Sequence, residues 1–319
     1  MARLFCFQRT QNKTNMKKLI LLAATVCTIL SSCSSKSETP EPTPTPTPTP
    51  EAQVKIPINL SIGDYTRAND TAFTNGDKVG VYVVNYNGST AGTLTPSSNH
   101  VNNMQFAYDG SAWASASPIY WLDKTTHADF YAYYPYTASA STSAHSFAVK
   151  TDQSTEANYW ASDFLWGKAT NVAPTKNAVS ITTNHVFSNI LIYLEPGDGF
   201  TAETLAAATK SVKINNVKTS ASINLATGVA TATGNTMSVT PWNVGSYYRA
   251  MMVPQTVADG TNLITVTVDG VDYTHSSGIT FVANKQHKFT VTVNKSTGGV
   301  DIGIGGWGSD DNNYGGSAE

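Results

Sequence analysis

Cysteine is almost absent from this chain, and charged side chains are scarce. The three cysteines, Cys6, Cys27 and Cys33, all lie within the first 33 of 319 residues. The rest of the chain therefore has no disulfide and no cysteine nucleophile, so its stability must come from a packed apolar core. Only 13% of residues are charged, and after residue 32 the chain keeps 15 of its 20 basic residues against 22 acidic ones. That excess of negative charge, with no basic cluster, argues against a nucleic-acid-binding protein.

Motifs that carry catalysis or bind metals are also missing. No histidine lies in an HExxH motif or at another metal-ligand spacing, and no GxSxG sequence marks a nucleophile elbow. The six histidines are His100, His127, His145, His185, His275 and His287. Gly303, Gly305 and Gly306 have no helical pattern behind them, which argues against a phosphate loop. Residues 310–313, DDNN, fit a solvated tail better than a calcium site. We expect no catalytic residue, no metal, no cofactor and no enzyme activity.

An export signal opens the chain. Met16 and two lysines precede an apolar run at residues 19–30, which is too short to span a bilayer as a stable helix. The run ends in Leu30-Ser31-Ser32-Cys33, the pattern of a bacterial lipobox, in which the cysteine is acylated and becomes the new N-terminus. The sequence therefore predicts a signal peptide over residues 1–32 with its true start at Met16. It also predicts a palmitate-type lipid on Cys33 and attachment to the cell outer membrane.

The predicted lipidated N-terminus continues into a linker, so that residues 33–52 form one segment. Its main part, TPEPTPTPTPTPEA, alternates proline with threonine, which favours an extended polyproline II conformation. At roughly 3.1 Å per residue, this part extends for about 40 Å. We interpret it as a spacer and not as a domain.

The stretch QVKIPINLSIGDYTR at residues 53–67 has the clearest strand pattern. Apolar side chains occupy every second position, which predicts a strand with one buried face, and Pro57 between them favours a sheet edge. The five apolar residues are Val54, Ile56, Ile58, Leu60 and Ile62. Arg67 follows in a polar turn, and beyond Cys33 the only other arginine is Arg249. An edge strand followed by a lone basic residue suggests a strand that proteolysis after Arg67 would release. The alternative is an ordinary first strand of a β-sandwich.

Many further short apolar runs, separated by turn residues, predict an all-β protein. One such run covers residues 119–122, and Asp269-Gly270 between two alternating runs is a two-residue hairpin signal. Only residues 202–209 have a helical pattern, with Thr201 as the N-cap. We expect two β-sandwich domains, at residues 53–182 and 183–319.

Clustered aromatic residues leave two interpretations open. They could pack in the core, or they could form a platform on which sugar rings stack. The residues are Trp113, Tyr120, Trp121, Tyr131, Tyr133, Tyr134, Tyr136, Trp160 and Trp166. An exposed row of these side chains would favour a surface glycan-binding lipoprotein, whereas burial would favour a structural role.

Several sequence blocks, in order, resemble the fimbrillin family, the type V pilins of Gram-negative gut and oral anaerobes. The blocks are FTNGDKVGVYVVN at residues 73–85, DFYAYYPY at 129–136, SDFLWGKA at 162–169, NHVFSNILIYL at 184–194, MMVPQ at 251–255, and QHKFTVTV through VDIGIGGW at 286–307. Together with the lipobox, the resemblance extends over essentially the whole chain.

The resemblance implies two transthyretin-like β-sandwich domains in a fimbrial subunit that supports cell adhesion. It implies that an arginine-specific protease cuts after Arg67, that residues 54–62 leave, and that the C-terminal strand of a neighbouring subunit replaces them by donor-strand exchange. In this sequence that donor would present Val300, Ile302 and Ile304 in phase, with Trp307 out of phase. The expected partners are other fimbrial subunits, the outer membrane and the protease. Asp70-Thr71-Ala72 resembles an O-glycosylation acceptor of these bacteria, with Thr71 as the acceptor residue. An anchor or tip subunit of the fimbria remains an alternative to the shaft.

Overall fold

Strands are the main regular structure of the described residues, with only two short helices among them. The computed structural model describes residues 53–63, 72–276 and 278–295. Its first elements are β1 (Ile58–Ile62), β2 (Lys78–Asn85), β3 (Val101–Tyr108), β4 (Trp113–Ser115), β5 (Ala128–Tyr134), β6 (His145–Ala148), α1 (Glu156–Trp160), β7 (Leu165–Val172) and β8 (Val179–His185). Then follow β9 (Ser188–Pro196), α2 (Ala202–Ala207), β10 (Lys210–Asn224), β11 (Val229–Val239), β12 (Trp242–Asn243), β13 (Tyr248–Met252), β14 (Gln255–Val257), β15 (Asn262–Val268), β16 (Val271–Ser276), β17 (Ile279–Phe281) and β18 (Gln286–Val293). The predicted all-β class is confirmed.

The largest sheet has seven strands, in the order β1-β8-β7-β5-β2-β3-β4. Its neighbours pair antiparallel, except that β1 runs parallel to β8. Two glycines allow close packing here. A Cβ atom on Gly80 would lie 2.2 Å from the Tyr133 ring, and one on Gly167 would lie 2.3 Å from the Thr182 carbonyl oxygen. These approaches explain the glycines in the GVY and LWGKA blocks of the sequence.

Three further sheets contain the remaining strands of the described residues. One has the order β11-β10-β15-β16, with β6 also pairing with β10. A second has the order β12-β13-β9-β18, in which β18 runs parallel to β9, and a two-stranded sheet joins β14 to β17. Alternating burial along β15, β16 and β18 places one face of each strand on the core.

The buried apolar side chains form three clusters. One lies under the seven-stranded sheet, and another is built from β9, β10, β13, β15 and β18. The third takes side chains from both parts of the chain, among them Tyr82, Tyr133, Phe164, Phe187 and Ile223. The predicted domain boundary, between residues 182 and 183, falls inside β8. The division into two domains stays a prediction.

Local signals identified the turns and caps well. Asp269 and Gly270 both have positive φ angles, 49° and 84°, and connect β15 to β16 as the predicted two-residue hairpin. Thr201 caps α2 as predicted, because its side chain accepts a hydrogen bond from the Thr204 amide and Thr204 completes the capping box.

Two expectations about local structure were wrong. Residues 202–209 do not contain the only helix of the described chain, since α1 forms a second one, capped by the Thr155 side chain. Five residues are too few to show a helical periodicity in the sequence. The predicted strand at residues 119–122 is also absent, and only Tyr120 makes a single β-bridge there, to Lys55.

Two buried histidines connect the stability of the fold to pH. His145, on β6, lies with its ring centroid 5.5 Å from those of Tyr133 and Phe164, and it is 5% exposed. His275, on β16, is 9% exposed. Burial lowers the pKa of both imidazoles, because the charged form loses its hydration.

We expect the free energy of unfolding to fall as the pH drops below about 6.5, the usual histidine value. Below that pH the unfolded chain binds protons that the folded chain does not, so protonation favours unfolding until the lowered folded-state pKa is reached. His145→Phe and His275→Phe should each reduce the loss of stability between pH 7 and pH 5. Urea titrations at pH 7, 6 and 5 measure this, and three parallel pH profiles would contradict it.

Candidate functional site

The candidate site is the segment of residues 53–63, called here the N-terminal segment, and the groove that it fills. It contains all five of the apolar residues predicted to form a removable strand. Other predicted site residues lie outside the described part of the chain. These are Cys33, Arg67, Thr71, Val300, Ile302, Ile304 and Trp307.

The first half of the N-terminal segment pairs with residues 119–121. The Ile56 amide donates to the Ile119 carbonyl oxygen at 2.9 Å, and the Trp121 amide donates to the Val54 carbonyl oxygen at 2.9 Å. The bridge between Lys55 and Tyr120 is antiparallel. This half therefore has the hydrogen bonding of a short antiparallel strand pair.

The second half of the N-terminal segment pairs with a different partner, and this pairing is parallel instead of antiparallel. β1 runs parallel to β8, with Ile58 opposite Val179 and Ile62 opposite Thr183. The Val179 amide donates to the Pro57 carbonyl oxygen at 2.9 Å, and the Thr183 hydroxyl donates to the Ser61 carbonyl oxygen at 3.0 Å. Pro57 stands where the partner changes, a position that suits a residue without an amide proton.

These two pairings join the segment to two separate partners. β1 is the terminal strand on one side of the seven-stranded order, next to β8. Residues 119–121 follow β4 in the chain, but they are not a strand of that sheet. The N-terminal segment thus satisfies backbone groups of β8 and of residues 119–121. The prediction of an edge strand holds for β1.

Burial is deepest in the middle of the segment. Ile56, Ile58 and Leu60 are 1%, 5% and 6% exposed, whereas Val54 and Ile62 are half-buried. The expectation that all five apolar side chains are fully buried is wrong, because the outer two lie at the ends of the groove. At about 1.5–3 kcal/mol for each fully buried aliphatic side chain, the three central ones contribute roughly 5–9 kcal/mol gross, which is an upper bound.

Aromatic and aliphatic side chains form the floor of the groove. Trp121 and Phe130 meet edge to face, with ring centroids 5.5 Å apart, and the indole Nε1 of Trp121 donates to the Thr175 carbonyl oxygen at 2.9 Å. Ile119, Val179 and Ile181 join the same cluster as Ile56, Ile58 and Leu60. Sequence patterns could not identify this floor, because its residues come from distant parts of the chain.

Burial separates the two interpretations of the aromatic residues. Of the nine, Trp113, Trp121, Tyr131 and Tyr133 are buried, and only Tyr120 is exposed, at 37%. The remaining four are half-buried. Trp113 packs edge to face on Phe73 at 4.9 Å, and Trp166 donates from its indole nitrogen to the Leu225 carbonyl oxygen. The nine residues mostly contribute to the core and do not form an exposed row.

The chemistry of the described residues is that of packing and backbone pairing. Within residues 53–63, 72–276 and 278–295, no cluster of three or more histidine, cysteine or acidic side chains is placed to hold a metal ion. Nor does any helix in those ranges have the length and apolar character needed to cross a membrane. The groove binds a strand, since β8 and residues 119–121 both hydrogen-bond to the N-terminal segment.

Comparison with known proteins agrees with this geometry. A family model described as fimbrillin-like matches residues 66–307 of this chain. The chain belongs to the fimbrillin-like family. Members of this family are fimbrial and adhesion proteins, structural rather than enzymatic, which agrees with the expected lack of catalysis. The family also indicates association with other fimbrial subunits and a location at the cell surface.

Individual relatives cover most of the fimbrillin-like chain. It is 28% identical over 304 residues to a Bacteroides uniformis protein named as a proposed fimbrium subunit, Fim1C, a match that spans 90% of this chain and 93% of that one. A crystal structure from Bacteroides ovatus, titled as a proposed cell adhesion protein, is similar in fold with a TM-score of 0.61. That match has 17% identity and covers 80% of this chain and 96% of the other. A similarly titled Bacteroides uniformis structure has a TM-score of 0.59 at 21% identity, covering 79% and 96%.

We expect Leu60→Ala to destabilise the uncut protein by about 2–3 kcal/mol, since a buried leucine is truncated at a site that can only partly collapse. Ser61→Ala is the matched control, because its side chain is exposed on the opposite face of the same strand, and it should change stability by less than about 0.5 kcal/mol. Urea unfolding measures both variants. Equal effects would show that the segment does not contribute to the folded core.

Proposed function

We propose that this fimbrillin-like protein is a structural subunit of a type V fimbria that supports cell adhesion and polymerises by exchanging the N-terminal segment for a strand of another subunit. The observation that carries the proposal is the position of the N-terminal segment. It forms the edge strand beside β8 and bridges to residues 119–121, and it is held there by hydrogen bonds and three deeply buried side chains. A second strand with the same features could take its place.

The proposed cut after Arg67 would convert a tethered segment into an exchangeable one. Before the cut, the covalent connection keeps the segment at a high effective concentration beside its groove. After the cut, the same contacts remain, but a dissociated segment is diluted into solvent. The match to the family model begins at residue 66, next to this arginine.

The proposed donor has the spacing that the groove requires. Val300, Ile302 and Ile304 alternate as Ile56, Ile58 and Leu60 do, so three apolar side chains would enter three deep positions. Only these three positions of the groove are deeply buried, so a donor with three in-phase residues suffices. Trp307, out of phase, would lie beyond them.

Head-to-tail assembly follows from this arrangement. The groove and the proposed donor are different parts of the subunit, so each contact leaves one free groove and one free donor. Such a heterologous contact grows into a filament instead of closing into a dimer. An exchanged strand would also form main-chain hydrogen bonds along its length, which would make the contact slow to dissociate.

We expect Arg67→Ala to yield monomers only, because the uncut segment keeps its groove closed. Deletion of residues 300–319 should allow the cut but stop chain growth, because the donor is missing. Purified protein is mixed with a trace of arginine-specific protease, and the products are followed as a ladder that resists denaturation. Arg249→Lys, which leaves Arg67 intact, serves as the control and should still form the ladder. Polymerisation of Arg67→Ala at the wild-type rate would refute the strand-exchange proposal for this arginine.

Export as an outer-membrane lipoprotein is the second part of the proposal. The lipobox ends in Cys33, and no other cysteine follows it in the chain. Cys33→Ala should therefore abolish labelling with radioactive palmitate and leave a soluble periplasmic precursor. Labelling of cells that express either form, followed by fractionation, checks this. A palmitate-labelled variant would contradict the assignment of the lipid to Cys33.

Two alternative functions would each give a different experimental result. An anchor or tip subunit would keep its proline-rich spacer, residues 39–52, in the mature form, because a spacer is useful to a protein that stays attached. Lipidated protein with an intact spacer, present in fixed proportion to fibres, would favour this role over the shaft. A surface glycan-binding lipoprotein is the less supported alternative, since Tyr120 is the only one of the nine aromatic residues that is exposed.

A further inference from the structure

Arg249 is the only arginine after Cys33 other than Arg67. We infer that Arg249 is a hidden cleavage site. Arginine-specific proteases cannot reach it in the folded protein, but they can cut after it in an unfolded subunit. This inference rests on the proposed maturation at Arg67, because it concerns how the same protease would treat folded and unfolded subunits.

The peptide bond after Arg249 is inaccessible in the folded protein. Arg249 lies within β13, which pairs with β12 on one side and with β9 on the other. Its direct partners are Trp242 and Leu191. Proteases bind their substrates as extended strands through main-chain hydrogen bonds, and both edges of this strand are already occupied. All five residues of β13 are buried, and Ala250, after the bond, is 0% exposed.

The arginine side chain is also withdrawn from solvent. Arg249 is 7% exposed, and its guanidinium carbon lies 4.1 Å from the centroid of the Tyr159 ring and 5.6 Å from that of Trp160. Its Nη2 atom donates a hydrogen bond to the Tyr159 hydroxyl, which in turn donates to Asn189 Oδ1 at 3.3 Å. A protease that recognises arginine by its side chain would have to extract the guanidinium from this aromatic cage. Helix α1, which carries Tyr159 and Trp160, would have to separate from β13.

Cleavage at Arg249 would disable a subunit for assembly. The cut would separate β14 to β18, together with the proposed donor residues Val300, Ile302 and Ile304, from the first part of the chain. It would also interrupt the sheet in which β13 lies beside β9. An arginine-specific protease would thus mature folded subunits at one site and inactivate unfolded ones at a second. The protein would be sorted by its own folding state during the maturation step.

The test uses the full-length Arg67→Lys protein, in which Arg249 is the only arginine after Cys33. Digestion with an arginine-specific protease, with and without urea, is followed by the mass of the fragment that begins at Ala250. We expect this fragment to form at least about 1,000-fold more slowly in the native protein than in the unfolded one, because cleavage must await opening of the fold. Its rate should follow the urea unfolding curve. Native cleavage within about 10-fold of the unfolded rate would overturn the inference.

Two matched variants serve as controls for the cleavage rates at Arg249. Adding Lys176→Arg to the same background introduces an arginine at an exposed residue between β7 and β8, and native protein should then be cut there quickly. Adding Arg249→Lys should abolish the fragment that begins at Ala250 in native and unfolded protein alike. A native protein that resists cutting at position 176 as strongly as at 249 would contradict selective protection by β13. None of these outcomes depends on whether Arg67→Ala prevents polymerisation, so the two proposals can fail separately.

Discussion

Backbone groups along a β-strand must find partners, and those of β8 and of residues 119–121 find them in a segment that comes before all the other strands of the seven-stranded sheet. The N-terminal segment pairs with residues 119–121 through its first half and with β8 through its second. Unpaired strand edges attract other strands, which is why proteins cover them. The same requirement makes this position suitable for exchange, because any chain that supplies matching hydrogen bonds and apolar side chains can fill it.

The lack of covalent cross-links bears on the proposed exchange. No cysteine follows Cys33 in this sequence, so after the proposed cut only non-covalent contacts would hold the segment. Ile56, Ile58 and Leu60 enter a floor built from Trp121, Phe130 and other buried side chains. Emptying this groove would expose apolar surface and orphan backbone groups at the same time. In the assembly proposed above, replacement of the segment would therefore be favoured over its simple loss.

Arginine use and burial act together in this protein. Arginines are rare after Cys33, and one of the two lies in a strand paired on both sides, with its guanidinium against Tyr159 and Trp160. Lysine is far more frequent in the same region, so an arginine-specific protease meets few targets while a lysine-specific one meets many. By burying Arg249, the fold leaves such a protease even fewer accessible arginines than the sequence contains. The hydrophobic environment that stabilises β13 is also what makes its arginine inaccessible.

The sequence by itself determined the all-β class, the alternation of the N-terminal segment and the local turn and cap chemistry at Asp269, Gly270 and Thr201. Each of these depends on side-chain periodicity or on backbone preferences of a few adjacent residues. Helix α1 was missed because it is too short for a period. Only the tertiary structure decided that residues 119–121 and β8 together form the groove, that three of the five apolar residues are deeply buried, and that Arg249 is shielded. These features join residues that are up to 122 positions apart, and packing between such distant residues leaves no periodic signal in the sequence.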